Sequence, residues 1–139
     1  MILHRRDLEA LALRILLSLA TPTEIDAEPF AMTVEAADDA TEGSHGFLVK
    51  LASRPPSDIG VRVSVSTTEE YFAASVAFAA KAIADAFQLE VIESLGGAAR
   101  PSCEGHAHPM QAAADQHGAW WECPRDSSRC RRIWPLTHD

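Results

Sequence analysis

The fold of this chain is decided by residues 67–97, which read TTEEYFAASVAFAAKAIADAFQLEVIESLGG. Thr67 and Glu70 have the spacing of a capping box, and Gly96-Gly97 suits a left-handed stop. The stretch therefore predicts one long helix, whose many alanines permit close packing. Its buried face is marked by apolar side chains at intervals of three and four: Phe72, Val76, Ala79, Ile83, Phe87 and Val91.

Three β-rich segments precede this helix and predict the sheet that it covers. They are residues 30–34, 47–52 and 61–65. The connections between them are short, which favours antiparallel neighbours. Alternation places Phe47, Val49 and Leu51 on one face. We expect a three-stranded antiparallel sheet with one apolar face.

A first helix is predicted before the sheet, from Arg5 or Arg6 to Ala20, where Thr21-Pro22 ends it. Charged residues interrupt its leucine-rich run, so we interpret it as a retained helix rather than an export signal. It is expected to pack on the sheet, and the alternative is a homodimer contact. Its buried stripe contains Leu8, Leu11, Ile15, Leu16 and Leu19, and Leu13 and Leu17 suggest burial on a second side.

Composition and charge indicate a folded domain with a protein partner. The 139 residues are 47% hydrophobic and 23% charged, which suits one soluble domain with its own core. Residues 1–99 hold fifteen acids against seven Lys or Arg, and residues 100–139 hold five of each, so the formal charge of -8 belongs to the first part. An acidic body repels nucleic-acid phosphates. We therefore expect a partner protein, and a basic surface would complement this charge.

Cellular location is inferred from cysteine usage and hydropathy. No stretch reaches the roughly 18 apolar residues of a membrane span. An odd number of cysteines, three, without an export signal favours reduced thiols or metal ligation in the cytoplasm over disulfides. The excess of arginine and alanine is typical of bacteria with GC-rich genomes.

Residues 100–139, called the tail below, contain residue types that bind metals. All three cysteines and three of the six histidines lie between residues 103 and 130. Residues 110–114 and 119–123 predict a hairpin that returns Cys123 to the segment holding Cys103, His106 and His108. We expect a structural zinc site made of these four residues, with Cys130 as the alternative fourth ligand.

The hairpin turn is predicted at residues 115–118. Gly118 is expected to take a positive φ there, and His117 is expected to be exposed at the tip. Residues 130–134 form a further, short strand in this interpretation. The hairpin is expected to pack on the body, so that residues 1–99 and residues 100–139 make a single compact unit of the α+β class.

The tail resembles a zinc-ribbon-like hairpin, and its ends are also similar to those of small uncharacterised bacterial proteins. The resemblance covers about a quarter of the chain and implies a bound metal, with no named family and no activity. It rests on seven residues: Cys103, His106, His108, Pro109, Trp121, Cys123 and Pro124.

Three functions are compatible with this sequence. The first is a non-catalytic, zinc-stabilised binding or accessory module that acts through protein–protein contact. The second is a small zinc-dependent hydrolase, in which Glu104 or Glu122 would move protons. No phosphate loop or deaminase pattern is present, so no residue is assigned as catalytic and no organic cofactor is expected. The third is nucleic-acid binding through a basic and aromatic tail: Arg125, Arg129, Arg131 and Arg132 with Trp120, Trp121 and Trp134.

Overall fold

The computed structural model describes residues 1–37, 42–53, 58–103, 105, 108–126 and 131–136, and it has the predicted α+β architecture. Helix α1 (Arg5–Leu19) and the short α2 (Pro22–Ala27) precede β1 (Ala31–Ala37), β2 (Ser44–Ala52) and β3 (Asp58–Ser66). The long α3 (Glu69–Ser94) then leads to β4 (Gln111–Asp115), β5 (Gly118–Glu122) and β6 (Arg131–Trp134). The N-terminal helix, the first sheet and the long helix are therefore confirmed.

Each of the two sheets has three antiparallel strands, in the orders β1-β2-β3 and β4-β5-β6. In the first sheet Val49 lies opposite Val34 on one side and Val61 on the other. The predicted inner face of β2 is buried, with Val49 and Leu51 fully inaccessible. In the second sheet the predicted short strand, β6, pairs with the predicted hairpin, so the C-terminal element is a three-stranded sheet rather than a hairpin alone.

Helix α3 packs against both sheets and supplies the centre of the core. Ala77, Ala80 and Ala84 are fully buried, which shows the close approach that alanine permits. Among the described segments, α3 is also long and apolar enough to span a membrane, with a mean hydropathy of 1.3 over 18 residues, 39% of them buried. The expectation that no segment suits a membrane span was therefore too strict, although a core helix has the same length and composition.

The start of α3 differs from the predicted capping box. The N-cap residue is Thr68, and its side chain makes no capping hydrogen bond. The hydroxyl of Ser66 instead accepts the backbone N–H of Thr68 at 3.1 Å and hydrogen-bonds the Thr68 hydroxyl at 2.8 Å. The prediction of a capping box between Thr67 and Glu70 is therefore wrong, because the N-cap is Thr68 and the hydroxyl of Ser66 holds it.

The predicted stripe of α1 is buried, from Leu8 to Leu19. Leu13 and Leu17 are each 46% exposed, so the prediction of burial on a second side is wrong within this chain. Thr21-Pro22 ends α1 as predicted, and the acidic segment that follows forms α2. Thr21 and Glu24 form its capping box, a signal that the sequence carries.

Glu24 also makes a bidentate ion pair with Arg100 that joins α2 to the segment after α3. Its two carboxylate oxygens accept hydrogen bonds from the guanidinium at 2.8 and 2.7 Å. The hydrogen bond from Arg100, supported by the backbone N–H of Thr21, lowers the pKa of Glu24 to about 2. This ion pair links segments 76 residues apart.

We expect the ion pair to make stability depend on pH in the acid range. Because the pKa of Glu24 falls from 4.5 to about 2 on folding, its contribution is complete above pH 4.5 and is lost as the pH falls towards 2. Urea unfolding of the wild type and of Glu24→Gln, measured at several pH values across this window, checks the expectation. The difference in unfolding free energy between the two proteins should shrink with falling pH. A difference that is independent of pH would mean that the ion pair does not contribute to stability.

Candidate metal centre

Cys103, His108 and Cys123 come together from separate places in the chain. One ligand atom of each residue, two sulfurs and a ring nitrogen, lies within 4.8 Å of the other two. The cysteines are 3% and 2% exposed and form no disulfide, and His108 is half-buried. In a tetrahedral zinc site, with bonds of about 2.0–2.3 Å, neighbouring ligand atoms lie about 3.5 Å apart. A small inward adjustment of the three side chains would therefore place their ligand atoms at three of the four corners of a tetrahedral zinc site.

The loop that carries Cys103 and His108 is closed by backbone pairing. Ser102 and Pro109 form an antiparallel bridge, and the backbone N–H of Cys103 donates to the carbonyl oxygen of His108 at 3.3 Å. Gly105 has a φ of 75°, in the left-handed region that favours glycine. This closure places two of the candidate ligands side by side at the base of the loop.

Helix α3 holds the loop through Gln88. Its side-chain amide nitrogen donates to the carbonyl oxygen of Arg100 at 2.9 Å and to that of Met110 at 2.6 Å. One of these carbonyls precedes Cys103 and the other follows His108. A single side chain of α3 therefore fixes both ends of the loop.

The histidine is oriented for metal binding. The Nδ1 atom of His108 lies 3.3 Å from the carbonyl oxygen of Pro109, and the Nε2 atom is buried. A proton on Nδ1, donated to this carbonyl, leaves a lone pair on Nε2. Such a neutral, oriented imidazole is the form in which histidine binds metals.

The turn after β5 favours the thiolate of Cys123. Burial raises the pKa of this thiol, but hydrogen bonds from the backbone N–H groups of Arg125 and Asp126 and from the Cys103 thiol outweigh burial and lower it. The nitrogen of Arg125 lies 3.4 Å from the sulfur. Since the thiolate is the form that binds metals, the turn prepares Cys123 for this role.

Asp126 is a candidate ligand that the sequence analysis missed. It is the third residue after Cys123, which is the position of the second ligand in a Cys-x2-Cys knuckle. Asp126 is half-buried, and its negative charge raises the pKa of the Cys123 thiol. Its carboxylate lies outside the group of ligand atoms that meet within 4.8 Å, so it would have to turn inward to bind a metal. The run Cys-Pro-Arg-Asp contained this signal, but a search for cysteine and histidine alone passes over it.

Three of the four predicted ligands are thus close together. His106 lies outside the described residues, as do Cys130, the alternative fourth ligand, and Glu104. The fourth coordination position therefore has three candidates, which are His106, Asp126 and Cys130. His117, at the hairpin tip, is exposed as predicted.

Glu122 is engaged on the other face of β5. Its carboxylate accepts a hydrogen bond from the indole N–H of Trp120 at 2.9 Å. Alternation along the strand places both residues opposite Trp121, which is buried in the core. The carboxylate considered for proton transfer in a hydrolase is therefore held by a tryptophan.

Gly118 does not take the positive φ that was predicted. The turn is made by the carboxylate of Asp115, which accepts the backbone N–H groups of His117 and Gly118 at 2.7 and 3.1 Å. A Cβ atom on Gly118 would lie 2.5 Å from the carbonyl oxygen of Trp134 and 2.7 Å from Nη1 of Arg132. Glycine is required here because β6 passes so close.

No protein-family model, curated protein or solved structure matches this chain. The resemblance of the tail to a zinc-ribbon-like hairpin stays a prediction.

Proposed function

We propose that this protein is a non-catalytic, zinc-stabilised binding module of the cytoplasm that acts through protein–protein contact. The observation that carries the proposal is the cluster of two buried sulfurs and an imidazole within 4.8 Å. Thiolate and imidazole are the ligands that zinc prefers. With a fourth protein ligand the site would be closed, as structural zinc sites are.

A structural role also agrees with where the ligands lie. Cys123 directly follows β5, whereas Cys103 and His108 belong to the loop that Gln88 ties to α3. A metal ion would therefore fasten the second sheet to the long helix. The engagement of Glu122 with Trp120 gives less support to hydrolysis, because a zinc-bound water needs a nearby proton acceptor.

Nucleic-acid binding through the tail receives less support. Trp121 is only 1% exposed and offers no face for stacking on a base. Trp120 is paired with the carboxylate of Glu122, whose charge repels phosphate. Residues 100–139 also carry five acids against five Lys or Arg, which leaves no net attraction for a polyanion.

The proposal is tested by the metal content of purified protein, measured by elemental mass spectrometry. We expect one zinc ion per chain in the wild type. Cys103→Ser, His108→Ala and Cys123→Ser should each weaken zinc affinity at least about tenfold, since even the loss of a hydrogen-bond partner of a ligand has an effect of that size. His117→Ala is the matched control, because it removes an exposed imidazole outside the cluster.

The same measurement assigns the fourth ligand. We expect His106→Ala to lose zinc, and Asp126→Asn and Cys130→Ser to retain it. Circular dichroism identifies variants that fail to fold, and zinc titration of the folded ones gives their affinities. Wild-type protein that binds no zinc, or zinc that stays bound after Cys123→Ser, would contradict the proposed site.

A further inference from the structure

Two adjoining cavities lie where α1 meets the second sheet. The smaller has a volume of about 150 Å³, and the larger, of about 330 Å³, shares Ser18 and Arg131 with it. We call the two together the α1–β6 groove. Its principal lining residues are Arg14, Ser18, Trp121, Arg131, Arg132 and Leu136.

The groove carries positive charge that the described residues do not balance. Arg14, Arg131 and Arg132 line the smaller cavity, and no described residue of that lining is acidic. In the larger cavity the acid is Glu24, which is already paired with Arg100. Within the described part of the chain, no ion pair includes the three arginines of the smaller cavity. This concentration of cations stands out in a chain of net charge -8.

Arg14 is held in place, and its charge has no carboxylate partner among the described residues. Its Nη2 donates to the backbone carbonyl of Ile133 in β6, and the side chain is half-buried. A guanidinium has several further N–H donors, so this one hydrogen bond does not exhaust it. Arg131 and Arg132 are exposed at the edge of the sheet. Arg131 pairs with Trp121 and shares its face of the sheet, so one fixed and one adaptable guanidinium group face the groove. Arg132 pairs with Trp120 on the other face, where its Nη1 lies beside Gly118.

Apolar side chains accompany these charges. Trp121 forms part of the floor, and its indole N–H is already satisfied by Ser18 at 3.1 Å. Leu136 is 48% exposed at the rim, and Leu17 borders the larger cavity with 46% of its surface exposed. The groove thus offers guanidinium groups beside exposed leucines.

We propose that the α1–β6 groove binds an acidic segment of a partner protein, with carboxylates at the arginines and an apolar side chain against Leu17 and Leu136. Charge complementarity selects the acidic occupant, because arginine pairs with carboxylate in a planar, two-point geometry. A nucleic acid is less suited, since Trp121 is buried and the chain as a whole repels a polyanion. The partner expected at this face is therefore acidic, whereas the overall charge predicts a basic partner. The inference rests on the protein-contact part of the proposed function and not on the metal.

The test is selection of peptides from a random displayed library on the purified 139-residue chain. Labelled selected peptides are then titrated with variants in a fluorescence anisotropy assay. We expect the peptides to combine Asp or Glu with leucine-like residues, and their binding to weaken as salt is added. The groove variant Arg131→Gln should lower the affinity about tenfold, the size of one lost charge-assisted contact. Arg132→Gln should have a smaller effect, because the Arg132 guanidinium lies on the other face of the sheet. Arg6→Gln is the matched control, because it removes the same charge from an exposed position of α1 outside the groove.

Several results would contradict the proposal that the α1–β6 groove binds an acidic segment. They are selected peptides without acidic residues, failure to select any peptide, or a loss with Arg6→Gln as large as with the groove variants. A single-stranded oligonucleotide that binds more tightly than the peptides, and that loses affinity with the same substitutions, would replace the acidic segment by a nucleic acid. Zinc content measured on the same variants separates the two proposals. If a groove variant keeps its zinc and binds the peptides as tightly as the wild type, the groove proposal is wrong and the metal-site proposal stands.

Discussion

Chelation of the zinc ion proposed for this site is expected to lower the free energy of unfolding by about 4 kcal/mol, when zinc is otherwise supplied at about a thousand times its dissociation constant. The loss should appear as a fall of roughly 10–15 °C in the thermal midpoint of a domain of this size. The physical reason is that the ion binds only the folded arrangement, in which Cys103, His108 and Cys123 meet. Thermal unfolding followed by circular dichroism, with and without chelator, measures the effect.

The chain provides its own local probe for this experiment. All three tryptophans, at positions 120, 121 and 134, lie in the second sheet, whereas most helical residues lie in α1 and α3. Below the thermal transition, chelation should therefore change the tryptophan fluorescence more than the helical signal, and both signals should share one lowered midpoint. Cys123→Ser should be insensitive to the chelator, and His117→Ala should behave as the wild type does. An unchanged thermal midpoint after complete zinc removal would leave the cluster without a structural role.

The first half of the fold could be predicted because its signals are local. The spacing of apolar residues in α3, and alternation in β2, determine which side chains are buried without knowledge of any distant contact. Leu13 and Leu17 show the limit of this reasoning, because apolar residues at helical spacing do not reveal how wide a face the rest of the chain covers. Both are exposed here.

The candidate site was predicted in part for the same reason. Cys103 and His108 are close in sequence, and a hairpin is enough to return Cys123 to them. The contacts that hold the site are different in kind. Gln88 binds carbonyls 12 and 22 residues away, and Arg14 binds a carbonyl 119 residues away. No periodicity or spacing predicts such hydrogen bonds, so the attachment of the second sheet to the helices and the α1–β6 groove required the structure.

The attachment of the second sheet depends most on Trp121. Its side chain is 1% exposed and lies in the same hydrophobic cluster as the buried residues of α1 and α3. Its indole N–H donates to the hydroxyl of Ser18 in α1 at 3.1 Å. Trp121 therefore joins β5 to the first helix both by burial and by a hydrogen bond.

Trp121→Ala is expected to lower the free energy of unfolding by about 3–5 kcal/mol, as removal of a buried large aromatic side chain does. Ser18→Ala should have a smaller effect of about 1 kcal/mol, because it removes the hydrogen bond and leaves the packing. Urea unfolding of both variants, each with zinc bound, measures the two contributions. Trp120→Ala is the matched control, since it truncates the neighbouring and only half-buried tryptophan.

The result also decides whether the tail and the body unfold together. If the second sheet and the helices form one cooperative unit, Trp121→Ala shifts the fluorescence and circular dichroism transitions by the same amount. Separate units would show a shifted fluorescence transition and an unchanged helical one. An effect of Trp121→Ala no larger than that of Trp120→Ala would mean that the buried indole does not attach the sheet. We expect coincident transitions, because α3 packs against both sheets and a single hydrophobic cluster contains residues of each.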